Sequence, residues 1–153
     1  MQIELFHRTQ THRKNSAIID SNGEYSYQQL LQSSGQVAAR LLNGRPDLSE
    51  TRVAFLIPPG FDYVAVQWGV WRAGGITVPL AISYPQPELE YVVTDSVAAL
   101  VIAHPSFEQK LRPVAEACGV DFLLTTDLLD AARAALPKVD PARRAMIIYT
   151  SGT

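Results

Sequence analysis

Short runs of wholly apolar residues, separated by helical patterns, constrain the fold of this chain more than any other feature. Val53-Ala54-Phe55-Leu56-Ile57 is the clearest such run. An uninterrupted apolar run indicates a strand that is buried on both faces, and strands of this kind joined by helices form parallel βαβ units. The sequence therefore predicts strands near 53–57, 76–80, 98–103, 120–124 and 145–149.

The segments between these runs have the 3.6-residue apolar period of helices. The clearest helix starts at Tyr27 behind a capping box of Ser26 and Gln29, and a last helix is predicted over 127–136. Residues 17–27, with Asn-Gly at their centre, are typical of a tight hairpin. The expected fold class is α/β: a parallel sheet with helices on both faces and a small N-terminal hairpin standing apart.

Composition excludes several classes of function. The chain has 153 residues, 47% of them hydrophobic, and 13 basic against 15 acidic residues give a net charge of −2. The chain therefore has no excess of positive charge with which to bind nucleic acid or anionic lipid. No uncharged apolar stretch is long enough to span a membrane, and the single cysteine, Cys118, cannot form an internal disulfide. These features favour a cytoplasmic protein.

The common catalytic and nucleotide-binding motifs are absent from the sequence. There is no G-x-G-x-x-G after a strand, no P-loop and no G-x-S-x-G elbow. His7, His12 and His104 lack the spacing of a metal site. Trp68 and Trp71 lie at helical spacing in an apolar element, which favours core packing over a stacking platform. We therefore predict neither a catalytic residue nor a metal ligand within residues 1–153.

The C-terminal pentapeptide is the segment best suited to chemistry. Tyr149-Thr150-Ser151-Gly152-Thr153 follows an apolar run and is dense in hydroxyls and flexible backbone. Such a turn at the carboxyl end of a parallel sheet presents donors where α/β proteins bind anions. From the residues alone, a simple capped strand end is the more common explanation of such a turn.

The same pentapeptide resembles the opening of the phosphate-binding loop of the AMP-forming adenylate synthetases, the superfamily of acyl-CoA synthetases, peptide-synthetase adenylation domains and luciferases. Two upstream segments, Tyr25–Leu30 and Trp71–Leu80, are similar to the first and second core motifs of that family and occur in the same order. Finer details, such as Gln67-Trp68 and Met146-Ile147-Ile148, resemble the malonate and methylmalonate ligase branch.

The resemblance implies an acid–thiol ligase of fatty acid metabolism. Such an enzyme uses ATP, Mg²⁺ and coenzyme A, and it converts a small carboxylic acid first into an acyl-adenylate and then into the acyl-CoA. By the family pattern Thr150, Ser151 and Thr153 would donate to the ATP phosphates, and Gly152 would let the backbone approach them closely. The catalytic lysine and the acyl pocket of the family correspond to nothing in this sequence.

The resemblance also implies that residues 1–153 are a partial N-terminal subdomain of a larger adenylating enzyme, the first βαβ layer of its N-terminal domain, and that the sequence stops inside the phosphate-binding motif. We expect such a chain to be inactive alone and to self-associate through its terminal strand. Two alternatives are an adenylation domain of a peptide synthetase and a free-standing α/β interaction module without catalytic activity.

Overall fold

Four parallel strands form the central sheet of the computed structural model, which describes residues 3–132 and 134–150. The strands are β3 (Arg52–Leu56), β4 (Ile76–Pro79), β5 (Leu100–Ala103) and β6 (Asp121–Leu124). Their order across the sheet is β4-β3-β5-β6, and β3 pairs in parallel with both β4 and β5. The predicted parallel sheet is therefore confirmed.

Helices cover both faces of this sheet, as predicted. Because successive side chains of a strand point to opposite faces, Val53 and Phe55 of β3 pack on one side, while Ala54 and Leu56 pack on the other. The first side is covered by α2 (Tyr27–Leu42) and α3 (Phe61–Arg72), and the second by α4 (Gln86–Asp95) and α5 (Glu108–Cys118). These four residues of β3 are at most 1% exposed, so the strand is buried on both faces of the sheet.

The N-terminal hairpin forms its own two-stranded sheet, as predicted. It consists of β1 (Ser16–Asp20) and β2 (Gly23–Ser26), paired antiparallel, and it follows the short helix α1 (Glu4–Thr9). Asp20 connects the hairpin to the main layer, because its Oδ2 accepts a hydrogen bond from the backbone N–H of Phe61 at 2.9 Å. That N–H lies at the start of α3, where backbone donors lack partners within the helix.

Helix α2 begins with the predicted capping box. The hydroxyl of Ser26 accepts from the N–H of Gln29, and the Gln29 side chain accepts from the N–H of Ser26. The helix ends at Asn43, which takes a left-handed conformation with φ of 44°. Its buried face packs against α3, where Gly69 allows the two helices to approach closely.

Two predicted elements differ in the structure. The predicted helix at 127–136 is only α6 (Thr125–Leu129). Alanine favours a helix, but residues 130–135 contain no large apolar side chain, and a short helix with little apolar surface to bury is marginal in water. The predicted strand at 145–149 forms a single parallel bridge, between Met146 and Thr77, instead of a ladder. No helix in the described residues is both long enough and apolar enough to cross a membrane.

Candidate functional site

The candidate site lies where the chain leaves the edge of the sheet. Thr150 is exposed and is the last residue described; Ser151, Gly152 and Thr153, the other predicted phosphate-binding residues, lie outside the described residues. Residues 140–150, which we call the terminal segment, run beside β4 in the parallel direction. Thr150 is therefore brought to the edge at which the parallel strands end, where ligands of open α/β sheets bind.

Backbone pairing between the terminal segment and β4 is limited to two hydrogen bonds on one residue. The N–H of Thr77 donates to the carbonyl of Ala145, and the N–H of Ile147 donates to the carbonyl of Thr77, both at 2.9 Å. The next donor in a parallel ladder would be residue 79, two positions along β4. Residue 79 is proline, which has no N–H, so the ladder stops and the predicted strand does not extend to 149.

Trp71 also binds the terminal segment through its side chain. Its indole Nε1–H donates to the Ala145 carbonyl at 2.7 Å and lies 3.2 Å from the Thr77 hydroxyl, which donates to the same carbonyl at 3.1 Å. The core role predicted for the two tryptophans is confirmed for Trp68, which is 7% exposed. Trp71 is half-buried, and its polar end is used for attachment.

Two arginines tie the start of the terminal segment to the turn before β3. Arg143 Nη1 contacts both carboxylate oxygens of Asp47 at 2.8 Å, and Arg144 donates to Glu50 from its guanidinium and from its backbone N–H. The Arg144 hydrogen bonds hold the pKa of the Glu50 carboxyl below its ordinary value. The pairs cross more than 90 positions of sequence, so they fix the segment against a distant turn.

Tyr149 attaches the end of the terminal segment to α4. Its hydroxyl donates to Asp95 Oδ2 at 2.5 Å, and its ring meets Tyr91 edge-on with centroids 6.3 Å apart. Burial, with the hydrogen bond to Asp95 second, raises the pKa of Tyr149 to about 12. The hydroxyl is therefore protonated at neutral pH and acts as a donor.

Side chains alternate along this segment as in an extended strand. Ile147 and Tyr149 pack on the cluster beneath α4 and α5, whereas Ile148 is 68% exposed and Thr150 is exposed as well. The Thr150 hydroxyl thus lies on the opposite side from the packed residues and is available to a ligand.

Within residues 3–132 and 134–150, no group of three or more His, Cys, Asp or Glu side chains is arranged to hold a metal ion. Of the predicted phosphate-binding residues the structure describes Thr150, whose hydroxyl is a donor that suits an anion such as a phosphate.

Sequence reasoning did not find the residues that anchor the terminal segment. Asp95 is 54 positions from Tyr149, and Asp47 and Glu50 lie 96 and 94 positions from their arginines. No local pattern indicates such contacts. The only available signal was charge: Arg143-Arg144 is the basic pair that precedes the apolar run, and Asp47 and Glu50 are acidic residues in a turn.

Comparison with known proteins agrees with this geometry. The family model described as AMP-binding enzyme matches residues 5–153. The mitochondrial malonate–CoA ligase ACSF3 of Xenopus laevis is 36% identical over 164 residues, covering 99% of this chain and 28% of that protein. Gramicidin S synthase 2 of Brevibacillus brevis is 33% identical over 138 residues, covering 90% of this chain and 3% of that protein.

Solved structures share the fold. Apo MatB from Rhodopseudomonas palustris superposes with a TM-score of 0.82 and 28% identity, covering 100% of this chain and 33% of that one. The chain thus spans 28% of the length of the malonate–CoA ligase and 33% of MatB. The family match covers nearly all of the sequence, including the edge to which the terminal segment is attached. The chain belongs to the AMP-binding enzyme family.

Proposed function

We propose that this chain is the N-terminal part of an AMP-forming acyl-CoA synthetase, an acid–thiol ligase. The observation that supports the proposal most directly is the route of the terminal segment, which brings Thr150, the first hydroxyl of the motif, to the carboxyl edge of a parallel sheet. The match to 28% of a malonate–CoA ligase is consistent with a partial N-terminal subdomain.

In this proposal the loop binds the β- and γ-phosphates of ATP. Thr150, Ser151 and Thr153 donate hydroxyl hydrogen bonds, and Gly152 leaves room for the backbone N–H groups to approach. Charged acceptors make each such bond stronger than a neutral one. The carboxylate of the substrate then attacks the α-phosphorus, pyrophosphate leaves, and the thiol of coenzyme A displaces AMP from the acyl-adenylate.

The described residues contain no group of side chains that could bind Mg²⁺. Because Mg²⁺ commonly binds through substrate phosphates and keeps several waters, the ion would accompany ATP without needing side chains from this part of the chain. The chain's own contribution is to orient the polyphosphate and to exclude misaligned poses at the sheet edge.

For the substrate we propose a small carboxylic acid, with malonate first because it appears in the names of the relatives that cover 99% of this chain. We propose that the protein is located in the cytoplasm, although the names of these relatives describe them as mitochondrial. The gramicidin S synthase match favours a second candidate, an adenylation domain that activates an amino acid.

The deciding experiment is ATP–pyrophosphate exchange with the full-length protein. Malonate, methylmalonate, acetate, a long-chain fatty acid and a panel of amino acids are offered separately, and a reaction without acid is the control. Exchange with malonate, followed by acyl transfer to coenzyme A, supports the ligase. Exchange with an amino acid and transfer only to a carrier domain supports the second candidate. No exchange with any acid would leave a non-catalytic module.

We also propose that the 153-residue chain alone self-associates, because Ile148 is 68% exposed beside an edge strand. Sedimentation velocity tests this proposal. A monomer at high micromolar concentration would contradict it.

A further inference from the structure

The geometry points to Tyr149 as a positioning residue for the phosphate-binding loop, acting through its hydrogen bond to Asp95. The inference rests on the proposed function, since it assigns a role toward ATP. Tyr149 immediately precedes the hydroxyl-rich motif, and its hydroxyl lies 2.5 Å from Asp95 Oδ2 at the end of α4.

The first argument is that, within the described residues, no backbone hydrogen bond to β4 follows the one made by Ile147. The last backbone hydrogen bond between the terminal segment and β4 is donated by Ile147 to Thr77. Pro79 cannot donate the next one, so the backbone after Ile147 has no ladder bond in the described residues. The hydroxyl of Tyr149 makes the next polar attachment along the chain, and it comes one residue before Thr150.

The second argument is the position of Asp95. It is the last residue of α4, where a carboxylate faces the negative end of the helix dipole. An acidic residue at that position is unfavourable for the helix taken alone, and its partner across the fold is the Tyr149 hydroxyl. Because that hydroxyl remains protonated throughout the neutral range, the bond is present under working conditions.

The third argument is that Tyr149 fixes the orientation of the loop as well as its position. Side chains alternate along an extended segment, so holding the Tyr149 ring against Tyr91 and the cluster beneath α4 turns Thr150 outward. If the ring were released, the segment could twist about its axis, and the Thr150 side chain would no longer be held on the outward side.

The test uses the full-length enzyme and three substitutions. Tyr149→Phe keeps the ring and removes the donor, Asp95→Ala removes the acceptor, and Tyr91→Phe is the matched control that keeps the edge-on ring contact. We expect Tyr149→Phe and Asp95→Ala each to raise KM for ATP about tenfold, the effect of losing one hydrogen bond to a charged group. KM for coenzyme A should stay unchanged, and Tyr91→Phe should match the wild type.

Two further measurements separate positioning from general stability. Asp95→Ala removes an unfavourable helix-end charge, so Tm should not fall by more than about 2 °C even though KM for ATP rises. Asp95→Asn keeps an acceptor oxygen and should recover most of the ATP affinity. The double variant Tyr149→Phe/Asp95→Ala should equal either single variant, because both remove the same bond.

The outcomes distinguish this inference from the proposed function. If the wild-type enzyme shows no ATP–pyrophosphate exchange with any acid, the proposed function fails and the inference fails with it. If the wild type is active but Tyr149→Phe has the same KM for ATP as Tyr91→Phe, or if the two single effects add in the double variant, the inference alone is overturned.

Discussion

Replacing Gly69 with alanine should destabilise this fold, although alanine is the better helix former. A Cβ at Gly69 would lie 2.3 Å from Val37 Cγ1, 2.5 Å from Val37 Cβ and 3.1 Å from the Ser34 carbonyl. Carbon atoms are normally about 3.5–4.0 Å apart, so α2 and α3 would have to separate. Overpacking of this kind costs about 3 kcal/mol at the upper end of its usual range, and alanine returns about 1 kcal/mol of helix propensity. The net loss is about 2 kcal/mol.

This loss can be measured by urea unfolding and by the thermal midpoint of the chain. About 2 kcal/mol corresponds to a fall of roughly 4–8 °C in Tm for a chain of this size. Gly35→Ala is the matched control on α2, since its Cβ would meet only the flexible end of Arg72 at 3.4 Å. It should raise stability by about 0.5–1 kcal/mol. An unchanged or higher Tm for Gly69→Ala would refute the packing argument.

Four further outcomes are expected. The hydrogen bond from the Phe61 N–H lowers the pKa of the Asp20 carboxyl. The carboxylate therefore stabilises the fold above its ordinary pKa of 3.8, and this stabilisation is lost as the pH falls through the lower pKa of the folded state. Asp20→Ala should make Tm depend less on pH on the acid side. Trp71→Phe removes one hydrogen bond of about 1 kcal/mol from the terminal segment, and amide exchange at Ile147 should be about fivefold faster. In the full-length enzyme, Thr153→Ala should lower pyrophosphate exchange by about 10²-fold or less, and an unchanged rate would exclude it from the site. Calorimetry should detect no ATP binding to the 153 residues alone, because three loop bonds of about 1.5–3 kcal/mol each leave at most about 5 kcal/mol after an association cost of about 4–15 kcal/mol; micromolar affinity would contradict this.

Features that depend on neighbouring residues were predictable from the sequence. The capping box of Ser26 and Gln29 and the hairpin around residues 22–23 are encoded within a few positions, and both form as expected. The apolar runs also predicted a parallel sheet, because only burial on both faces explains five consecutive apolar residues at 53–57.

Features that depend on a distant partner were not predictable. The run at 145–149 has the composition of a strand, but whether it forms a ladder is decided by Pro79, on the strand beside it. The hydrogen bond between Tyr149 and Asp95 is similar: neither residue has a local signal, and the fold brings them together. The hydroxyl motif at 150–153 was recognisable from the sequence, whereas the residues that anchor it were not.

Pro79 also has a consequence for the chain while it is folding. On the outer edge of β4 the amide of Gly75 is already bonded to Val70, and Pro79 has no amide, so Thr77 presents the one outward donor of that strand in the described residues. The four strands of the sheet all precede residue 125 in the chain, so the sheet can form before residues 145–147 pair with it. While residues 145–147 are unpaired, an edge with a single outward donor supports only limited pairing, which discourages association with another chain. The residue that keeps the terminal segment loosely paired thus also protects the unfinished domain from aggregation.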